Sequence, residues 1–344
     1  MKRLLALVLS AAMFFSLAAG CTPADQTDDG QTSPTADAGG EGGYTIATNN
    51  FGVGAYPLDM MVANEQSAAD ATGMTLTVTN NEFTADKVIT QLQNQLAASP
   101  DGVAFLGISE TLFPVAAQYC KNAKTPYVFY ACSPTDEDME KIEQDEYYVG
   151  MVIYSPKNEG SRLAELALAD GCKTAVISAG ASGDYAHDRR IIYATGEDYI
   201  TPAADVIKSR GITDCKIYGS NISPSVCQLI MDGQVEACTG GEFVCGSLAV
   251  TLLINYLDGN PIKDADGTAP YFDNLTQFMV TAENAEDFYE FLSDENLATH
   301  TISDEEYQNL LVRNNPDVDY DYFYDFLTNY EENVYAKVEA NAAQ

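Results

Sequence analysis

Residues 84–109 read TADKVITQLQNQLAASPDGVAFLGIS. Val88, Leu92 and Leu96 recur at a spacing of four, which puts them on one stripe of a helix. A Pro-Asp-Gly turn follows, and residues 103–108 then form a short apolar run bounded by polar residues, the pattern of a buried strand. A helix delivered by a tight turn into such a strand is half of a βαβ unit. Its near-continuous apolar character suits a parallel sheet covered on both faces.

The same alternation extends in both directions. Strands are expected at 44–48, 75–79, 127–131 and 148–152, and again at 174–178, 190–194, 216–219 and 275–281. Helical stretches separate them, one carrying the stripe Leu248, Leu252 and Tyr256 and closed by Gly259 and Pro261. The pattern predicts an α/β protein with two parallel-sheet lobes.

The start of the chain is of a different kind. Lys2 and Arg3 precede an apolar run at 4–17, too short for a comfortable membrane span of roughly 20 residues. The run ends in Leu17-Ala18-Ala19-Gly20-Cys21, which resembles a bacterial lipoprotein signal. The resemblance implies removal of residues 1–20 and acylation of Cys21 (diacylglycerol and palmitate-type chains), so that a lipid anchors the chain outside the cytoplasm at the cell membrane. Residues 21–43 form an acidic polar tether spanning about 25 Å on average.

Composition narrows the function. Lys plus Arg number 17 against 51 Asp plus Glu, a formal charge of −34. Such a chain repels phosphate backbones, so no nucleic-acid partner is expected. Only His187 and His300 are available for histidine chemistry. There is no GxSxG, HExxH or P-loop, so neither an enzyme nor a cofactor or metal site is expected. After Cys21, Cys120, Cys132, Cys172, Cys215, Cys227, Cys238 and Cys245 contain no CxxC pair and read as small buried apolar residues.

In open α/β sheets, ligands bind beyond the carboxyl ends of the strands. That rule selects Asn49, Asn50, Phe51 and Tyr56, then Asn80 and Asn81, then Ser109 and Glu110, then Tyr130 and Cys132. The second lobe supplies Asp184, Asp188, Glu197, Asn221 and Glu242. Aromatic faces set among amides and carboxylates suit a small polar solute.

Three further stretches join the first in a resemblance. They are RLAELALADGCKTAVISAGASGD at 162–184, RIIYATGEDYITPAADVIKSRGITDCKIYGSNISP at 190–224 and MDGQVEACTGGEFVCGSLAVTLLINYLDGNPI at 231–262. In order and spacing, residues 44–281 resemble the type 1 periplasmic solute-binding proteins, the family of ribose- and galactose-binding proteins. The resemblance implies a two-lobed receptor that captures one small solute between its lobes and delivers it to the permease subunits of an ABC-type importer. The alternative is a sensory lipoprotein that presents a ligand to a membrane kinase or chemoreceptor.

It further implies lobe 1 at 44–153 and 242–267 and lobe 2 at 154–241 and 268–282. Hinge crossings would fall near 153–155, 240–242 and 268–275. Where the sugar binders carry Asp, Arg and Asn contacts, the alignment places Ala131, Asp188 and Gly196. The solute is therefore expected to be a sugar or sugar-like molecule, with a nucleoside or amine left open. The family's elements between Asp188 and Ile191 are nearly absent, so lobe 2 is expected to be abridged, with strand 190–194 still running parallel to strand 174–178.

Residues 283–344 lie beyond the family's usual end. Asp317, Asp319, Asp321 and Asp325 have the spacing of the first calcium-loop ligands, but Tyr322 and Thr328 stand at the Gly and bidentate Glu positions. The segment is expected to form amphipathic helices packed on a lobe, burying Tyr322, Phe323, Phe326 and Tyr330.

Overall fold

The computed structural model describes residues 43–172, 194–195, 197–212 and 215–344. Cys21 with its signal and tether, strand 174–178, Asp184 and Asp188 lie outside the described residues. In chain order the first elements are β1 (Thr45–Asn50), α1 (Tyr56–Thr72), β2 (Thr75–Asn80), α2 (Ala85–Ala97), β3 (Gly102–Leu106), α3 (Phe113–Ala123), β4 (Tyr127–Tyr130), α4 (Asp136–Ile142) and β5 (Tyr148–Tyr154). Then come α5 (Pro156–Ala169), β6 (Ala194–Thr195), α6 (Glu197–Arg210), β7 (Tyr218–Ser220), α7 (Pro224–Met231), β8 (Ala237–Gly240) and α8 (Cys245–Leu257). The chain closes with β9 (Tyr271–Leu275), β10 (Phe278–Thr281), α9 (Ala285–Ser293), α10 (Glu295–Ala298), α11 (Asp304–Asn309), α12 (Tyr320–Thr328) and α13 (Tyr330–Ala342).

Among the described residues the strands form two sheets. The first has six strands in the order β2-β1-β3-β4-β5-β9, all parallel. The second has four, in the order β10-β8-β7-β6. The αβ alternation read from the quoted stretch is present, with Val88 and Leu92 buried on α2 and β3 buried along its whole length. Strand β6 pairs parallel with β7, Ala194 opposite Gly219, whereas the expected pairing with strand 174–178 lies outside the described residues. Among the described residues the second sheet has fewer strands than the first.

Two expectations are corrected at the last crossing. Residues 268–282, assigned to lobe 2, divide between the sheets: β9 pairs with β5 in the first and β10 with β8 in the second. The crossing therefore lies at Thr276 and Gln277, after 268–275. Nor is the second sheet wholly parallel, because β10 runs antiparallel to β8. The reason is geometric. The two residues between β9 and β10 form no turn, and β10 begins with Phe278 opposite Gly240, the last residue of β8, so the chain enters the second sheet from that sheet's carboxyl-end side. The carboxyl ends of the two sheets thus face each other across this link.

Most of the core is continuous across both sheets and the C-terminal helices. Helix α8 has its first eleven residues buried, consistent with its near-absence of charge. Cys120, Cys227, Cys238 and Cys245 are buried, as the reading of the cysteines as small apolar residues anticipated, but Cys132 and Cys172 are only partly buried and Cys215 is exposed. Of the C-terminal aromatics, Phe323 and Tyr330 are buried and Phe326 partly so, but Tyr322 is exposed. Buried Phe323 and Leu327, four apart, set the inner face of α12, and Tyr322 falls off that stripe. Asp319 has a structural task, accepting the Tyr322 N–H at 2.9 Å as the N-cap of α12. Among the described residues, no helix is long and apolar enough to cross a membrane.

Candidate functional site

The order of the first sheet reverses between β1 and β3, so the end of β1 is the topological switch point, the place at which open α/β sheets bind ligands. The residues there are tightly determined. Buried Asn49 donates to Asn81 Oδ1 (3.0 Å) and Leu106 O (3.1 Å), and accepts from Leu106 N (3.0 Å), tying β1 to β3 and to the end of β2. A buried amide with these partners satisfied is a rigid strut. Asn50 accepts from Gly52 N (2.8 Å) and donates to Asp59 Oδ1 (3.1 Å), while Asp59 Oδ2 accepts from Gly54 N (2.9 Å). The loop from β1 into α1 is thereby fixed. Asp59 also places a negative charge in the first turn of α1, where the helix dipole favours it.

On this base stands an aromatic pair. Phe51 and Phe83 pack edge to face, with ring centroids 5.7 Å apart. The backbone builds the pair: Asn81 N donates to Asn50 O (2.8 Å) and Phe83 N to Phe51 O (2.7 Å), prolonging the β1–β2 pairing past both strand ends. Glu82 (φ 53°) and Phe83 (φ 54°) are successive non-glycine residues in the left-handed region. Each costs about 1 kcal/mol or more. The result is that Phe83 is 55% exposed. Gly52 leaves room for it, since a Cβ there would meet the Phe83 ring and displace it. Phe83 was not among the sequence candidates. It sits three residues past its strand, and nothing in the local composition separates it from a core aromatic.

Tyr56 opens α1 and is half-buried against the core. Tyr130 differs from its expected role: it is fully buried, with its hydroxyl 3.1 Å from Thr48 Oγ1 and 3.4 Å from Asn49 O. Since β4 is a central strand covered on both faces, this residue belongs to the core.

On the second sheet, the structure brings Asn221 and Glu242 together. Asn221 follows β7 in the left-handed region (φ 65°), and its amide donates to Glu242 Oε1 at 2.5 Å. Gln277, in the β9–β10 link, donates to Glu242 Oε2 at 3.1 Å. Glu242 is 2% exposed. Burial raises its carboxyl pKa above the ordinary range, while backbone N–H groups and the two amides pull it down. With both oxygens engaged, Glu242 ties together the end of β7, the link from β8 to α8 and the link from β9 to β10. Glu197 is the first residue of α6, directly beyond β6 and Gly196.

A second buried carboxyl, Glu65, lies within α1 away from any strand end, and so falls outside the positions that the strand-end rule selects. Burial pushes it up to about 8. The Tyr130 and Thr48 hydroxyls favour its charged form slightly, but they bond to each other and lie outside bonding geometry to its oxygens. A Cβ on Gly246 would collide with Glu65 Oε1, so the glycine at the start of α8 makes room for this carboxyl.

A comparison with protein-family models gave no match, nor did one with curated protein sequences. Solved structures do match. A galactofuranose-binding protein is 17% identical with a TM-score of 0.62, over 74% of this chain and 99% of its own. A periplasmic sugar-binding protein from Pseudomonas fluorescens is 14% identical (TM-score 0.65), over 80% of this chain and 97% of its own. The periplasmic component of the arabinose ABC transporter from Shewanella sp. ANA-3, bound to α- and β-L-arabinofuranose, is 16% identical (TM-score 0.64), over 74% and 97%. The chain has the two-lobed α/β fold of the type 1 periplasmic sugar-binding proteins.

Proposed function

We propose that this chain is a non-enzymatic solute receptor of an ABC-type importer, held outside the cell membrane by acylated Cys21. The solute is a sugar or sugar-like molecule taken between the facing carboxyl ends of the two sheets. The observation that carries this reading is the pair at the switch point in which exposed Phe83, on a backbone held in costly left-handed geometry, packs against half-buried Phe51. Strain of this kind persists where function requires it, and an aromatic face beside fixed amides suits the C–H face of a sugar ring. The fold likeness to sugar-binding proteins supports the same reading. Asn50, Tyr56, Glu197 and Asn221 border this region by their place at strand ends and complete the proposed polar contacts. Ala131 stands where the resemblance calls for an Asp, so the solute is gripped through amides and rings more than through a buried charge.

A thermal-shift series with pentoses, hexoses, inositols, nucleosides and amines tests the assignment, because a ligand bound only by the folded state raises the melting temperature. A rise with one sugar class supports it; a rise confined to amines, or none at all, overturns it. Fractionation of cells making wild type and Cys21→Ala tests the anchor. The variant is expected in the soluble fraction, and equal membrane retention of both forms sinks the anchor.

A further inference from the structure

Three links join the sheets: β5 to α5, β8 to α8, and β9 to β10. The C-terminal helices touch all three. Strands β9 and β10 are the outermost strands of their sheets, each with one free edge. Helix α12 lies along β9: Leu327 O accepts from Thr276 N (3.1 Å), and Asn274 Nδ2 donates to Tyr324 O and Thr328 Oγ1 (both 2.8 Å). Phe272 of β9 stacks on Tyr320 and Phe323, at 4.9 and 5.3 Å between centroids. Helix α13 lies along β10. The Tyr335 hydroxyl accepts from Met279 N (3.0 Å) and lies 2.9 Å from both Met279 O and Glu331 Oε1. An open edge in each sheet is thereby occupied.

The two helices meet at Asn329, beside the two-residue link from β9 to β10. Tyr330 is buried against Gly241 in the β8–α8 link. Glu331 pairs with Arg162 of α5 at 2.5 Å, and Arg162 also donates to Gln277 O (2.9 Å) in the β9–β10 link. The segment before α12 is fastened to the first sheet's helices. Arg313 donates to Thr72 O (2.9 Å) and pairs with Asp258 (3.4 Å), while Asn255 donates to Leu310 O (2.9 Å) and accepts from Val312 N (2.8 Å).

From this we infer that residues 320–342 are a splint across all three links, holding the two sheets at one fixed angle so that they move as a single body. Bending at any link must shear hydrogen bonds, the Arg162–Glu331 pair or the Tyr330 packing. Packed contacts of that kind are bistable and do not deform smoothly. Solute exchange then proceeds through local motion of the strand-end loops, without wide separation of the lobes. This inference needs no ligand and stands apart from the identity of the solute.

The test combines small-angle scattering with hydrogen exchange on the full chain. The double variant Glu331→Gln with Tyr335→Phe removes the charge pair and the hydroxyl clamp while keeping buried volume. It is expected to raise amide exchange in segments 153–156, 240–244 and 275–279 about tenfold, as loss of interactions of this kind implies, and to increase the radius of gyration. A folded double variant with wild-type exchange and radius overturns the splint. Wild type gives an independent measurement should the variant not fold. Its scattering is expected to fit one arrangement of the sheets, and a profile that requires open and closed populations overturns the inference by itself.

Discussion

Tyr330 lies against Gly241 so closely that a Cβ added to the glycine would stand 2.6 Å from Cε1 of the ring. Gly241 also has φ 108°, a conformation that side chains rarely adopt. The two facts make this glycine the point where a C-terminal residue and an inter-sheet link depend on each other. Gly241→Ala should therefore cost about 2–4 kcal/mol from backbone strain and overpacking together. Urea unfolding checks this through a lower midpoint at unchanged slope. A loss within about 0.5 kcal/mol, ordinary for a surface substitution, would show that the ring is not held there.

The buried Glu65 carboxyl makes stability depend on pH. In the unfolded chain it ionises near 4.5, whereas in the folded protein it stays protonated to about 8. Between those values the folded state binds the extra proton, so its contribution is full below pH 4.5, declines as pH rises and is spent above about 8. The slope reaches roughly 1.4 kcal/mol per pH unit. Subtracting the pH–stability curve of Glu65→Gln from that of wild type isolates this carboxyl from all others. A flat difference curve between pH 5 and 8 would contradict the assignment.

Asn221→Ala removes one of the two side-chain amides that hold Glu242. The carboxylate oxygen it leaves behind is buried, and an unsatisfied buried acceptor costs about 1–3 kcal/mol. The loss should be larger at pH 8 than at pH 5, because the Asn221 amide favours the charged form of Glu242. Chemical denaturation at the two pH values checks both the size and the order.

Phe83→Ala separates binding from folding. The ring is more than half exposed, so its loss should leave the melting temperature within a degree or two (about 0.5 kcal/mol). A stacked ring contributes about 1 kcal/mol beyond area burial, so affinity for the sugar found by thermal shift should fall about fivefold. Calorimetric titration of Phe83→Ala, Tyr56→Ala and Glu197→Gln maps the site. Wild-type affinity in all three moves the site away from the strand ends.

The sequence by itself determined the α/β alternation. A stripe such as Val88 and Leu92, followed by a turn and the apolar run at β3, admits few other structures, because a strand buried on both faces must be covered by helices. It also determined where the strand-end loops lie, since strand ends follow from strand positions. Tertiary structure decided what these residues do there. Tyr130 and Phe83 are both aromatics at or just past strand ends, yet one is core and the other exposed, because β4 is central while β2 is an edge. Asn221 and Glu242 were both legible as polar strand-end residues. Their bond to each other, with Gln277 as third partner, depends on a link from another sheet that local spacing does not encode. The tyrosine-rich C-terminus read as amphipathic helices, but which edges they cover was settled by the free edges of β9 and β10, whose unpaired backbone groups need partners wherever the chain can bring them.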